Sequence, residues 1–179
     1  MIYEKMQTAP DFLTKALTDE LFRGARLIER LDDEIYRRKA NGTGSIGGHF
    51  RHNLDFVQLF LSGMDAGKID YSRRERDDQV EEDRKYAVKR FALLIFRLQN
   101  LSPDFIERKV LICSEINHAC WLESSAAREL EFLHSHTVHH HALISEKLAF
   151  FGVRAAIDFG VAPSTLKFRE QQNAGAQAA

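Results

Sequence analysis

Five of the eight histidines fall in one run, Leu133-His134-Ser135-His136-Thr137-Val138-His139-His140-His141, inside an apolar pattern of helical period from Glu129 to Phe151. Within that run only His136 and His140 stand four residues apart. On an α-helix such a pair lies roughly 40° apart and one turn up, so both imidazoles reach one point. Leu133, Leu143, Ile144 and Phe151 share their side, which puts the pair on the buried face and turns His134 and His141 away from it. His139, about 60° from His136, would be a poorer substitute for either. Two imidazoles on a buried face with no acid neighbour in sequence are best satisfied by sharing a divalent metal. The plainer alternative is a core histidine bonded to a backbone carbonyl. The run is internal and continuous with the helix pattern, unlike an expression tag.

A metal needs a third ligand, and the candidates lie on an earlier helix. Ser45 can cap a segment that carries Ile46, His49, His52, Phe56, Leu59, Phe60 and Gly63 on one face before Gly67 ends it. Spacing alone leaves His49 and His52 equal. The following stretch, Asp70-Tyr71-Ser72-Arg73-Arg74-Glu75-Arg76-Asp77-Asp78, alternates both charge signs and reads as a solvated loop leading into a helix. Its functional alternative is that Tyr71, Arg73 or Arg76 folds over the site to grip an anionic substrate. Cys113 and Cys120, the only cysteines, are in no CxxC arrangement and read as reduced thiols. Cys120 lies two residues from His118, which makes a cysteine enzyme with His118 as base the competing chemistry.

The elements that must position these residues can be read in order. Leu13, Leu17, Leu21, Gly24, Ile28, Leu31 and Ile35 hold a 4,3 spacing that predicts one helix of about 27 residues, opened near Pro10-Asp11 and stopped by Asn41-Gly42-Thr43-Gly44. Gly24 on its core stripe implies close packing or a cofactor passage, of which packing is the simpler. After the capped second helix, Ala87, Phe91, Leu94, Ile95 and Leu98 mark a third, ending before Ser102-Pro103. From Phe105 to Leu122 the period changes, and two short strands in a hairpin fit, with His118 at the surface in the turn. Ser124 or Ser125 then caps the histidine helix, which Gly152 terminates. The turn Phe159 to Leu166 leads a last short segment back onto the bundle, and Gln171 to Ala179 reads as a disordered tail.

At 179 residues, 44% apolar and 28% charged, the chain has the composition of one soluble domain over residues 1–170. A net charge of -1 gives no footprint for nucleic acid. No apolar run approaches a membrane span, and Met1-Ile2-Tyr3-Glu4-Lys5 lacks a secretory signal, so the cytoplasm is the expected location. The expected partner is a small-molecule substrate, and a homodimer is left open.

Four long helices, the stretch Ser45-Ile46-Gly47-Gly48-His49-Phe50-Arg51-His52, an HxxxH on the fourth helix and the ending Phe159-Gly160-Val161-Ala162-Pro163-Ser164-Thr165 together resemble the DinB family of damage-inducible four-helix-bundle proteins. The resemblance implies an all-α bundle running up-up-down-down with a long crossover, here with a small β-hairpin between helices 3 and 4. It also implies a metal held by one histidine of the second helix and two of the fourth. Carried onto this chain, the ligands are His52, His136 and His140, with His49 in a supporting or entrance position. In the related domains of ergothioneine sulfoxide synthases a Glu follows two residues after the second histidine; here Ala142 stands there, and sulfoxide-synthase chemistry is therefore not the expectation.

Three neutral imidazoles leave coordination positions open, as at catalytic rather than closed sites, and nitrogen ligation suits zinc, nickel or iron(II). A low-molecular-weight thiol entering such a position is bound as thiolate. That chemistry is implied by family members that resemble thiol S-transferases. The competing class is a non-enzymatic metal-binding stress-response module.

Overall fold

The computed structural model describes residues 9–39 and 44–177. Four long helices dominate it: α1 (Ala9–Arg30), α3 (Ile46–Ala66), α5 (Arg84–Gln99) and α6 (Ala126–Phe150). Both α1 and α3 pack against both α5 and α6, so the four surround one core. The periodic residues read above are among its members, Leu13, Leu17, Leu21, Ile28 and Leu31 from α1, Ala87, Phe91, Leu94, Ile95 and Leu98 from α5, and Leu133 and Ile144 from α6, where Leu130 and Leu148 join them. No helix among the described residues is long and apolar enough to cross a membrane.

Local chemistry fixes the ends of the helices that matter for the site. Ser45 caps α3 by accepting from the Gly48 N–H at 2.9 Å, and its own hydroxyl donates to Glu81 Oε1 at 2.7 Å. Glu81 belongs to the short helix α4 (Asp78–Glu82), so α3 and α4 are joined at the cap. Gly47 makes the approach possible, because a Cβ there would fall inside the Glu81 backbone and the Tyr36 ring. At its other end α3 stops at Gly67, left-handed at φ 69°. Ser125 caps α6.

Several expectations need correction. The first helix is not continuous to about residue 35: it ends at Arg30, and Asp32 starts a separate short helix, α2 (Asp33–Arg37), by accepting from the Ile35 N–H at 2.8 Å. The apolar spacing runs through the break, which is why periodicity conceals it. Of the expected stop Asn41-Gly42-Thr43-Gly44, residues 41–43 lie outside the described residues, as do Met1 to Lys5.

The hairpin is present, with β2 (Lys109–Cys113) antiparallel to β3 (Trp121–Ser125), but it is part of a three-stranded sheet. A two-residue strand, β1 (Lys68–Ile69), adds in parallel to β2, placing Ile69 beside Ile112. Two residues are too few for a period to register. The segment after α6 does not lie back along the bundle: helix α7 (Pro163–Gln177) is exposed over residues 163–174 apart from Leu166, and the helix continues through residues 171–177, where the sequence reads as disordered. Ala and Gln favour helix even without a buried face. Phe159, rather than α7, docks on the bundle.

Candidate metal centre

His49 and His52 project from α3 toward His136 and His140 on α6. One ring nitrogen each from His52, His136 and His140 forms a group whose members all lie within 4.8 Å of one another. All three side chains are half-buried. His52 Nε2 and His136 Nε2 are 3.2 Å apart, about the separation of two nitrogens on a tetrahedral zinc. His49 stands behind His140, Nδ1 to Nδ1 at 3.0 Å. His139 is exposed, its ring edge-on to His140 at 5.3 Å.

Burial pushes the His52 and His136 imidazoles down to about 4 and His140 to about 3, aided at His52 by His136 and Arg74, at His136 by His139 and Arg74, and at His140 by His52 and His136. At neutral pH the group therefore presents lone pairs, the state a metal requires.

The hydrogen bonds assign the protons. Arg74, arriving from the loop after β1, donates from Nη1 to His52 Nδ1 at 2.6 Å. His52 then carries its hydrogen on Nε2 and donates it to His136 Nε2, leaving the His136 proton on Nδ1. That atom is buried and has no hydrogen-bond partner. A buried N–H without an acceptor is costly, so the arrangement is self-consistent but not at rest. Three imidazoles and one nitrogen pair already at ligand spacing fit a metal. For His52 to offer Nε2 as a ligand, its proton must move to Nδ1 and Arg74 must withdraw.

Aromatic rings wall the cluster. Phe132 stacks on His136 at 5.5 Å between centroids, and Phe56 lies 4.4 Å from His136 and 4.7 Å from His52. Tyr71 stacks on Phe56 at 4.9 Å and donates to Glu129 Oε2 at 2.9 Å. Its hydroxyl is thus committed within the wall, and burial pushes its proton affinity far up. Arg73 points to solvent and pairs with Asp70 at 3.2 Å, while Arg76 is exposed. Arg74, between them, is the arginine that reaches the histidines. An irregular loop has no period from which to choose among three arginines, so sequence reasoning missed it. Phe56, Tyr71, Glu129 and Phe132 also line a cavity of about 470 Å³ beside the cluster.

His141 does not turn away from the core. It is fully buried against α1, where its Nδ1–H donates to Glu20 Oε1 at 2.8 Å and Phe159 stacks on its ring at 4.4 Å. Leu143, assigned to the buried face, is instead 39% exposed. Helix α6 is packed on two sides, α1 on one and α3 on the other, so a single apolar stripe does not describe it. The His141 Nε2 faces the Gly24 backbone without a partner. Burial lowers the His141 pKa against the pull of Glu20. The neutral ring leaves an unpaired lone pair there, whereas the cation would leave a buried N–H.

Gly24 is explained by packing: a Cβ would come within 3.0 Å of His141 Nε2 and 3.1 Å of the Phe50 ring. Gly160, left-handed at φ 74°, lets the Phe159 turn press on α6, since a Cβ there would fall inside the backbone of His141 and Ala142. The residue before this clamp is His140. Cys113, rather than Cys120, is the thiol beside His118, with Sγ 4.0 Å from Nδ1.

No family model and no solved structure matches the chain. Among curated proteins it is similar to FK506-binding protein 5 of Rhizopus delemar, 28% identical over 108 residues. The match takes in 58% of this chain and 28% of the relative, so it spans less than a third of that protein's length.

Proposed function

We propose that His52, His136 and His140 hold one divalent metal, zinc, nickel or iron, with a coordination position open, and that the chain is a DinB-like enzyme of the thiol S-transferase kind. The observation that carries the reading is the convergence of three imidazole nitrogens from two facing helices within 4.8 Å. A bound divalent cation lowers the pKa of a thiol at its open position and makes it a nucleophile near neutral pH.

The chain's own residues have separate parts in this scheme. His140 keeps Nε2 for the site when its Nδ1–H donates to His49, which orients the ring. Phe56 and Phe132 exclude water from one side of the cluster, and the cavity they share with Tyr71 and Glu129 offers a largely apolar electrophile a place beside it. Arg74, released from His52, is a cation free to face an anionic thiol or leaving group. The up-up-down-down order and the long crossover belong to the same proposal and are supported by the ring of four long helices.

A second reading, a metal-binding stress-response module without catalysis, is favoured by one observation. The Arg74 guanidinium is taken up by His52 itself and the Tyr71 hydroxyl by Glu129.

The test is turnover of a generic electrophile with a low-molecular-weight thiol by the metal-loaded full chain. Activity should need metal and thiol together, should rise with pH through a value below the roughly 8.5 of a free thiol, and should persist when both cysteines are Ser. Activity that survives chelation but disappears in Cys113→Ser or Cys120→Ser would make this a cysteine enzyme. Metal binding with no thiol bound at the metal would favour the module.

A further inference from the structure

A second group of ligand-type side chains gathers at one end of the small sheet, and the topology explains why. Ile69 of β1 is paired with Ile112 of β2, so the next residue of each strand, Asp70 and Cys113, emerge side by side where the strands stop. The hairpin turn then brings His118 back over Cys113, its carbonyl 3.6 Å and its Nδ1 4.0 Å from the sulfur. One carboxylate oxygen, the thiol sulfur and one imidazole nitrogen lie within 4.8 Å of one another. Ligands on a tetrahedral zinc stand roughly 3.3–3.8 Å apart, so closure requires a contraction of about 1 Å.

The three positions are held in place before any ligand arrives. The turn carrying His118 is pinned by the Asn117 N–H to Ser114 Oγ at 3.1 Å, Ala119 N–H to Asn117 Oδ1 at 3.2 Å and Cys120 N–H to the Asn117 carbonyl at 2.8 Å. The Ser72 hydroxyl and backbone N–H both donate to Asp70 Oδ1, at 2.5 and 3.0 Å. Oδ2 pairs with Arg73 at 3.2 Å, whose side chain is 84% exposed and readily displaced. Cys113 is 4% exposed, which hides the sulfur from bulk solvent while His118 remains at the surface.

Two chemistries compete for this set. A cysteine nucleophile needs thiolate, yet burial and the Asp70 carboxylate both push the Cys113 thiol up and hold its proton on sulfur. A divalent cation reverses that balance: the S–H bond breaks, the sulfur keeps the electron pair and bonds the metal, and the proton leaves to solvent.

We propose that Asp70, Cys113 and His118 form a second metal site, separate from the three-histidine cluster, which takes a borderline divalent cation such as zinc through carboxylate, thiolate and imidazole. With three protein ligands, a fourth position stays open. Cys113 also lines the cavity beside the histidine cluster, so the two sites flank one space: Cys113 on one wall, Phe56 and Phe132 on the other.

Cobalt(II) separates the two sites spectroscopically, because only a thiolate ligand gives a sulfur-to-metal charge-transfer band in the near ultraviolet. The reduced, chelator-stripped full chain should develop that band on titration with cobalt, and zinc should abolish it by displacement. The band should persist in the His52→Ala/His136→Ala double variant and vanish in Cys113→Ser with its circular dichroism unchanged. His118→Ala, on an exposed turn where the fold does not depend on it, should weaken cobalt binding by about tenfold or more. Zinc should also slow alkylation of Cys113 by iodoacetamide. Cobalt uptake without a charge-transfer band, or a band that survives Cys113→Ser because Cys120 supplies it, would overturn the proposal.

Discussion

Replacing His141 with Ala should destabilise the protein strongly while leaving metal binding at the neighbouring cluster intact. The ring is fully buried, bonds Glu20 at 2.8 Å and lies under Phe159. Losing the charge-assisted hydrogen bond costs about 1.5–3 kcal/mol, because Glu20, itself 6% exposed, stays behind. Arg23, at 3.2 Å from the other carboxylate oxygen, keeps that figure below the 3–5 kcal/mol typical of a stranded buried charge. The vacated ring space adds about 1–2 kcal/mol in lost contacts. The sum, about 2.5–5 kcal/mol, corresponds to a fall in Tm of about 5–20 °C for a domain of this size. Urea unfolding at neutral pH in chelator isolates the effect from metal linkage. Glu20→Gln retains an acceptor and should cost less, with a coupling of about 1–2 kcal/mol in the double-mutant cycle. A loss below about 1 kcal/mol in His141→Ala, or loss of metal from a variant that is still folded, would refute the reasoning.

Other outcomes follow from the same contacts. Arg74→Met removes the cation and the donor that hold His52 in the wrong tautomer, so metal should bind about 5–30-fold more tightly by competition titration, an estimate from a hydrogen bond worth about 1–2 kcal/mol. The histidine cluster has folded-state pKa values of about 4, 4 and 3, below the unfolded value near 6.5. Its contribution to metal-free stability is therefore complete above about pH 6.5 and lost as pH falls through 4, by about 3 kcal/mol for the cluster as a whole given its partial exposure and shared repulsion. Flat stability across that window, measured by denaturant midpoint, would contradict it. Gly24→Ala should lose about 1–2 kcal/mol, since three tight contacts outweigh about 1 kcal/mol of helix propensity.

Much of the scaffold can be read directly from periodicity and caps. The α1 and α5 core faces, the Ser45 and Ser125 caps and the Gly67 stop all stand where spacing and capping chemistry put them. The i, i+4 spacing of His136 and His140 likewise brings their rings to one point. What eluded the sequence depends on a second face or on distant pairing. The burial of His141 requires α6 to be packed on both sides, and its partner Glu20 lies 121 residues away. The choice of Arg74 over Arg73 rests on the path of an irregular loop. The Asp70–Cys113–His118 group exists only because a two-residue strand joins the hairpin in parallel.

The central claim is tested most directly by metal content measured by mass spectrometry on the purified Cys113→Ser chain, which lacks the thiolate of the second site, and its single-histidine variants. The account predicts about one metal at the cluster, lost from His52→Ala, His136→Ala and His140→Ala alike and retained in His134→Ala and His139→Ala. Full metal retention at the cluster in His52→Ala together with loss in His49→Ala would contradict the ligand set, and retention in all three ligand variants would contradict the site itself.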